Sequence, residues 1–212
     1  MTLSYTQPST RLRRVQLNRR ILIALLMLSA AFFLPFVCAV WLHSAPLFYA
    51  QIEHVGIFLI FIAIFGRTWC ALHIGGLKKA AIVDTGPYSV VRNPLYVFTI
   101  IGAAGMGAQT SSLVVTALSA FVTFLVFAVV VRKEEAYLSE HFGEAYESYR
   151  QRVPRFFPNF SAYKAVPHLT IYMRVVQRTF VESCYFLIAI PAFDMIELAQ
   201  SYGWIPHAFH LP

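Results

Sequence analysis

Two clusters in this 212-residue chain carry residue types that can do chemistry. The first is Gly86-Pro87-Tyr88-Ser89-Val90-Val91-Arg92-Asn93-Pro94-Leu95-Tyr96. Asn93 suits a helix N-cap, and Pro94 suits the first helical position, where a missing N–H costs nothing. The helix they open is the apolar stretch 95–108. A helix start leaves N–H groups unpaired and carries partial positive charge. With Arg92 alongside, it can hold an anion such as a carboxylate. An ordinary membrane helix also begins with Arg-Asn-Pro, so this run alone leaves both uses open. The second cluster is Glu134-Glu135, the only adjacent acidic pair in the chain. Its plain use is a solvated helix end, with Arg132 as an i,i+3 neighbour of Glu135. Its chemical use is to face Arg92 and bind a cationic ligand.

The elements that must position these clusters are membrane helices. The chain is 58% hydrophobic and 13% charged, with long uncharged runs, which excludes an ordinary soluble domain. Its net charge of +7 comes without a basic groove or zinc-finger spacing. Anionic lipid headgroups are the fitting partner, and nucleic acid is not. Cys38, Cys70 and Cys184 lie in apolar surroundings with no CxxC pair, so buried thiols are expected and a metal site is not.

Residues 1–20 form a polar tail that ends in arginines. The uncharged run 21–42 is long enough to cross ~30 Å of hydrocarbon, too long for a signal-peptide core, and Pro35 should kink it. A loop at 43–51 leads to a second span from Glu53 to about Leu72, where Arg67 is expected to snorkel to the interface. Gly75-Gly76 lacks a preceding strand and a GxGxxG pattern, so a dinucleotide-binding fold is not supported. The stretch 95–108 is short and rich in small residues that permit close helix approach. After a turn at 109–112 the stretch 113–131 returns, giving a membrane hairpin. Leu138, Phe142, Tyr146, Tyr149 and Val153 recur at helical spacing, which predicts an amphipathic helix. Residues 156–178 mix aromatics with Lys164, Arg174 and Arg178 and read as interfacial. Residues 179–199 have membrane-like length, but Glu182, Pro191, Asp194 and Glu197 leave either a fifth span or a re-entrant piece.

The expected fold is therefore all-α: a polytopic membrane protein with four or five transmembrane helices and a cytosolic amphipathic helix. Its parts are a tail (1–20), a membrane domain (21–178) with a motif core (84–158), and a C-terminal apolar segment (179–212). Lys and Arg cluster in the tail, in 67–92 and in 132–178, whereas the loops 43–51 and 109–112 have none. The positive-inside rule places the N-terminus and both chemical clusters on the cytoplasmic side.

The motif run, the Glu134-Glu135 pair, and Phe142-Gly143-Glu144-Ala145-Tyr146-Glu147-Ser148-Tyr149…Arg152-Val153-Pro154 occur in that order. Together they resemble the isoprenylcysteine carboxyl methyltransferase family and the related phospholipid methyltransferases. The resemblance covers about a third of the chain. One departure is Asn93, where many members have His, so a titrating role is not available there. The resemblance implies a membrane enzyme that binds S-adenosylmethionine between the motif loop and the last cytosolic helix. The methyl acceptor would arrive from the bilayer. Tyr88, Asn93, Pro94, Tyr96, Glu134, Glu135 and Tyr146 are the expected cofactor-binding residues, with a carboxylate for the ammonium and tyrosines for the adenine or sulfonium. Tyr149 fits that pocket or an interfacial aromatic belt equally well. Methyl transfer is an in-line displacement at carbon, so its catalysis rests mainly on positioning. A carboxylate acceptor needs a cation to orient it, and Arg92 is the candidate. An amine acceptor needs a base, and Glu135 is the candidate. The preferred expectation is carboxyl O-methylation of an isoprenylcysteine or similar lipidic acid. The alternatives are phospholipid amine N-methylation and an NADPH-dependent sterol-type reduction.

Overall fold

In the computed structural model the described residues are 37–39, 46–74, 81–204 and 209–211, all within one unit of the chain, 36–212. The run 21–42, expected as the first span, lies almost wholly outside them, as does the tail. The helices are α1 (Pro46–Ile74), α2 (Pro87–Val90), α3 (Pro94–Ala108), α4 (Leu113–Phe142), α5 (Glu144–Arg152), α6 (Met173–Cys184) and α7 (Ala189–Ser201). A three-residue parallel pairing joins Val37–Ala39 (β1) to Phe209–Leu211 (β2). The architecture is all-α, with three helical stretches long and apolar enough to cross a membrane: Ala50–Ile74, Leu113–Phe142 and Met173–Ser201. The shorter apolar α3 sits among them.

The first of these differs from expectation at its start. The helix begins at Pro46, a good first-turn residue, so the expected loop at 43–51 is in part helix. Its lipid-facing side exposes Phe58, Phe61, Phe65 and Trp69, while Ile60, Ala63, Ile64 and Cys70 are buried. α1 packs along α3, α3 along α4, and α6 along α1. The α1–α3 seam is close because small residues meet there: a Cβ on Gly105 would lie 2.7 Å from the Gly56 carbonyl oxygen.

The α3–α4 hairpin forms as expected. Its turn satisfies its polar groups internally. Gln109 donates to the Glu53 carbonyl at 3.3 Å, Ser111 donates to the Glu53 carboxylate at 3.1 Å, and Ser112 caps α4 by accepting from the Val115 N–H.

Arg67 does not snorkel. Its guanidinium turns inward, donates to Ser183 on α6 at 2.8 Å and to Thr99 on α3, and lies 5.9 Å from the Phe186 ring centroid. An inward Arg with hydroxyl partners ties three elements together, and this outweighs the pull of the interface.

The C-terminal segment is a helical run from Met173, earlier than the expected start at 179, to Ser201. Pro191 is accommodated by a local change of pitch. It has no N–H for the Leu187 carbonyl, and a 3-10 turn at Tyr185–Ile188 precedes it, with the Ala189 N–H shared between the Phe186 and Leu187 carbonyls.

The expected amphipathic helix 138–153 is not continuous. α4 runs unbroken through Glu134-Glu135 to Phe142, then Gly143 breaks the chain with φ +55° and ψ −129° before α5 begins. The apolar spacing survives the break because both sides face one cluster. Leu138 and Phe142 pack on the buried Tyr146, Tyr149 and Val153.

Candidate active site

The site forms where α4 leaves the apolar layer and meets the start of α3. Two strands of irregular backbone hold it. The motif loop is fastened to the segment after α5 by four bonds: Arg92 N–H to Pro154 carbonyl (2.8 Å), Asn159 N–H to Val90 carbonyl (3.0 Å), Gly86 N–H to Lys164 carbonyl (2.8 Å) and Lys164 N–H to Ser89 hydroxyl (2.9 Å). At the surface Asp84 pairs with both Lys164 (3.0 Å) and Arg152 (3.5 Å). So at 159–164, past the expected motif core, the chain is a strap on the motif loop. It still exposes Phe157, Phe160 and Tyr163, as an interfacial segment would.

Glu135 is the centre of the site. It is 5% exposed, which excludes a solvated helix end. Its Oε2 accepts from Arg155 Nε at 2.9 Å and Nη2 at 2.6 Å. Its Oε1 accepts from Asn93 Nδ2 at 3.2 Å and stands 3.5 Å from Arg92 Nη1. With both oxygens engaged, the carboxylate is committed to holding its neighbours.

Arg92 is the unusual member. Its side chain is only 10% exposed. Among the described residues its Nε and Nη1 make no hydrogen bond, because the 3.5 Å approach to Glu135 is off hydrogen-bond geometry. Buried donors left unmade cost about 1–3 kcal/mol each, so a site that keeps them that way is suited to an anionic ligand.

Asn93 stands at the N-cap position of α3 and Pro94 at its first residue, as read from sequence. The Asn93 side chain does not cap, however. It turns instead to Glu135 and to the Arg155 carbonyl at 3.3 Å. The Tyr96 and Val97 N–H groups both turn to the Asn93 carbonyl. With Pro94 lacking an N–H, the helix start has fewer donors for a ligand than its sequence promised.

The tyrosines separate into two roles. Tyr149 donates to the Tyr88 carbonyl at 2.8 Å and is a core pin; it is neither a belt residue nor an exposed pocket wall. Tyr96 donates to Glu134 Oε2 at 2.9 Å and stacks on Phe127 at 4.5 Å between centroids. Burial pushes the Tyr88 and Tyr149 hydroxyls well up from the usual phenol range. Burial also pushes Tyr146 up to about 12, with the Glu135 charge adding to the rise and Arg92 opposing it. These phenols are neutral at physiological pH, and Tyr146 also meets the Arg92 guanidinium. Arg155 was not singled out from sequence. The one available signal was its place directly after Arg152-Val153-Pro154, the last piece of the ordered motif set.

The fold and the site define an all-α protein with membrane-length apolar helices and a buried Arg–Glu cluster at the end of a helical hairpin. A family model described as phospholipid methyltransferase matches residues 20–145, more than half of the chain. The chain belongs to this family and is a membrane methyltransferase. It is 37% identical over 163 residues to the nickel-cobalt-cadmium resistance protein NccN of Alcaligenes xylosoxydans xylosoxydans, covering 77% of this chain and 76% of that protein. It is 38% identical over 144 residues to the cobalt-zinc-cadmium resistance protein CzcN of Cupriavidus metallidurans, covering 66% of each. It is 38% identical over 81 residues to the protein-S-isoprenylcysteine O-methyltransferase of Schizosaccharomyces pombe, covering 38% of this chain and 34% of that protein. No solved structure matches.

Proposed function

We propose that the protein transfers a methyl group from S-adenosylmethionine to the carboxylate of an isoprenylcysteine or similar lipidic acid at the cytoplasmic face of the membrane. The observation that carries this reading is the buried Arg92 guanidinium with two unmade hydrogen bonds. A carboxylate acceptor offers those donors charged oxygens to meet. When bound, S-adenosylmethionine supplies an electrophilic methyl group. Glu134 and the hydroxyl of Tyr96 beside it suit the cofactor's ammonium, whereas Tyr88 and Tyr146, 6% and 2% exposed, present its sulfonium no open ring face. Arg92 orients the acceptor, and Glu135 orients Arg92. Glu135 is then a poor candidate for a general base, because four donors already surround it.

The family's name favours amine methylation as the second reading, with Glu134 as the remaining carboxylate. The reductase reading draws no support from the family match. Esterification also fits the setting in which two relatives are named. It removes an anionic oxygen that would otherwise attract divalent cations to the membrane surface.

Equilibrium titration tests the cofactor. S-adenosylmethionine should bind and NADPH should not, and Glu134→Gln should weaken S-adenosylmethionine by ~1.5–3 kcal/mol, the scale for hydrogen bonds to charged groups. Unchanged affinity in that variant would remove Glu134 from the cofactor site.

A further inference from the structure

Three charged side chains meet at the Glu135 carboxylate, with Glu134 next to it along α4. Arg92 and Arg155 carry two positive charges, and Glu135 carries one negative charge. Arg155 takes the better share. Its Nε and Nη2 both reach Oε2, at 2.9 and 2.6 Å, while Arg92 stops 3.5 Å from Oε1. Asn93 fills the hydrogen-bonding role on Oε1. Glu135 is thereby saturated without drawing Arg92 into a bidentate pair.

Arg155 is also placed by the residues it serves. Next to it, the Pro154 carbonyl accepts from the Arg92 N–H at 2.8 Å. Its own carbonyl accepts from Asn93 Nδ2 at 3.3 Å. Backbone and side chain of 154–155 thus bind the 92–93 pair and its carboxylate at once. At 39% exposure the Arg155 head is half open to water, so its charge is cheaper to keep than that of the buried Arg92.

We infer that Arg155 is a positioning residue that occupies Glu135 so that Arg92 keeps its donors for a carboxylate ligand. This deepens the reading of Arg92 given above and rests on it. Without Arg155, Oε2 is bare and Arg92 is the cation left to fill it. Arg92 then swings into a fork on Glu135, and its donors are lost to a ligand.

The test uses full-length protein in detergent and two matched ligand pairs. One pair is N-acetyl-S-farnesylcysteine and its carboxamide. The other is S-adenosylmethionine and its decarboxylated analogue. In the parent, the acid of at least one pair should bind more tightly than its carboxylate-free partner. Arg155→Ala should weaken that acid on the order of tenfold and leave the partner nearly unchanged. Arg155→Ala combined with Glu135→Gln removes one charge of each sign and should recover much of the lost acid affinity. Equal losses for acid and partner are what a purely structural role produces, and they would overturn the inference. So would a double variant that binds the acid no better than Arg155→Ala. A preference for the acid that survives Arg155→Ala overturns the role of Arg155 alone. A parent with no preference in either pair overturns the carboxylate role of Arg92, and that of Arg155 with it.

Discussion

Replacing Arg92 with lysine keeps the unit charge and removes the planar fork. In the parent, Nε and Nη1 are the two buried donors without partners among the described residues, and they lie on different edges of the planar guanidinium. A lysine ammonium at the same place can meet one acceptor oxygen in their stead, and it remains free to turn to Glu135 Oε1. The net loss is therefore about one hydrogen bond to a charged group, ~1.5–3 kcal/mol, or roughly 10- to 140-fold. Where this loss appears follows from the chemistry. As a carboxylate oxygen gains a methyl group its negative charge falls, so the guanidinium holds the ground state at least as well as the transition state. The loss should fall mainly on the acceptor KM, with a smaller drop in kcat from poorer alignment. The assay is methyl transfer at saturating S-adenosylmethionine with varied acceptor, beside a cofactor titration of the same variant. Cofactor affinity should stay within about twofold of the parent. A cofactor affinity that falls in step with kcat/KM would place Arg92 in the cofactor site and refute the argument.

Further predictions concern the frame around the site. Gly143→Ala should lower the thermal unfolding midpoint through backbone strain of ~1–3 kcal/mol. The position has φ +55°, and its Cβ would meet nothing within 4 Å, so a parent-like midpoint would mean the break between α4 and α5 is not held there. The folded-state value of Tyr146 is raised from 10.0 to about 12, so its contribution to stability is complete below pH 10.0 and is lost as pH rises through about 12. Tyr146→Phe should flatten the alkaline fall in thermal midpoint over that range; an unchanged slope would contradict the buried neutral phenol. In a cysteine-free background, cysteines at the exposed Gln51 and Ser148 should react with an impermeant thiol reagent from opposite sides, Ser148 from the cytoplasm. Ser89 and Ser111 are buried and would be poor probes. Labelling of both from one side would overturn the sidedness.

The sequence carried the outline of this architecture well where a residue's neighbours along the chain decide its conformation. Pro94 opens α3, the 109–112 turn closes the hairpin, and Glu135 faces Arg92 because ordered motifs bracket that hairpin. It was silent where distant segments decide. Asn93 has every local reason to cap a helix through its Oδ1, yet its Nδ2 donates to a carboxylate 42 positions away and the side chain makes no cap. Apolar spacing passes through Gly143 without a gap, so only the backbone angle reveals the break. Arg67 has the length to reach water, but Ser183, 116 positions along, holds it inside. The strap at 159–164 is built almost wholly from backbone bonds to the motif loop, which side-chain patterns do not encode.

The central claim is that a membrane methyltransferase whose buried Arg92 keeps two hydrogen-bond donors unmade esterifies a lipidic carboxylate. The most direct measurement incubates purified protein with methyl-labelled S-adenosylmethionine and a panel of prenylcysteines, fatty acids and phospholipid amines, then treats the products with alkali. A methyl ester releases its label as methanol under alkali, and a methylated amine keeps it. The account predicts alkali-labile label on a carboxyl-bearing acceptor, lost when that carboxyl is an amide. Alkali-stable label on a phospholipid amine would contradict it.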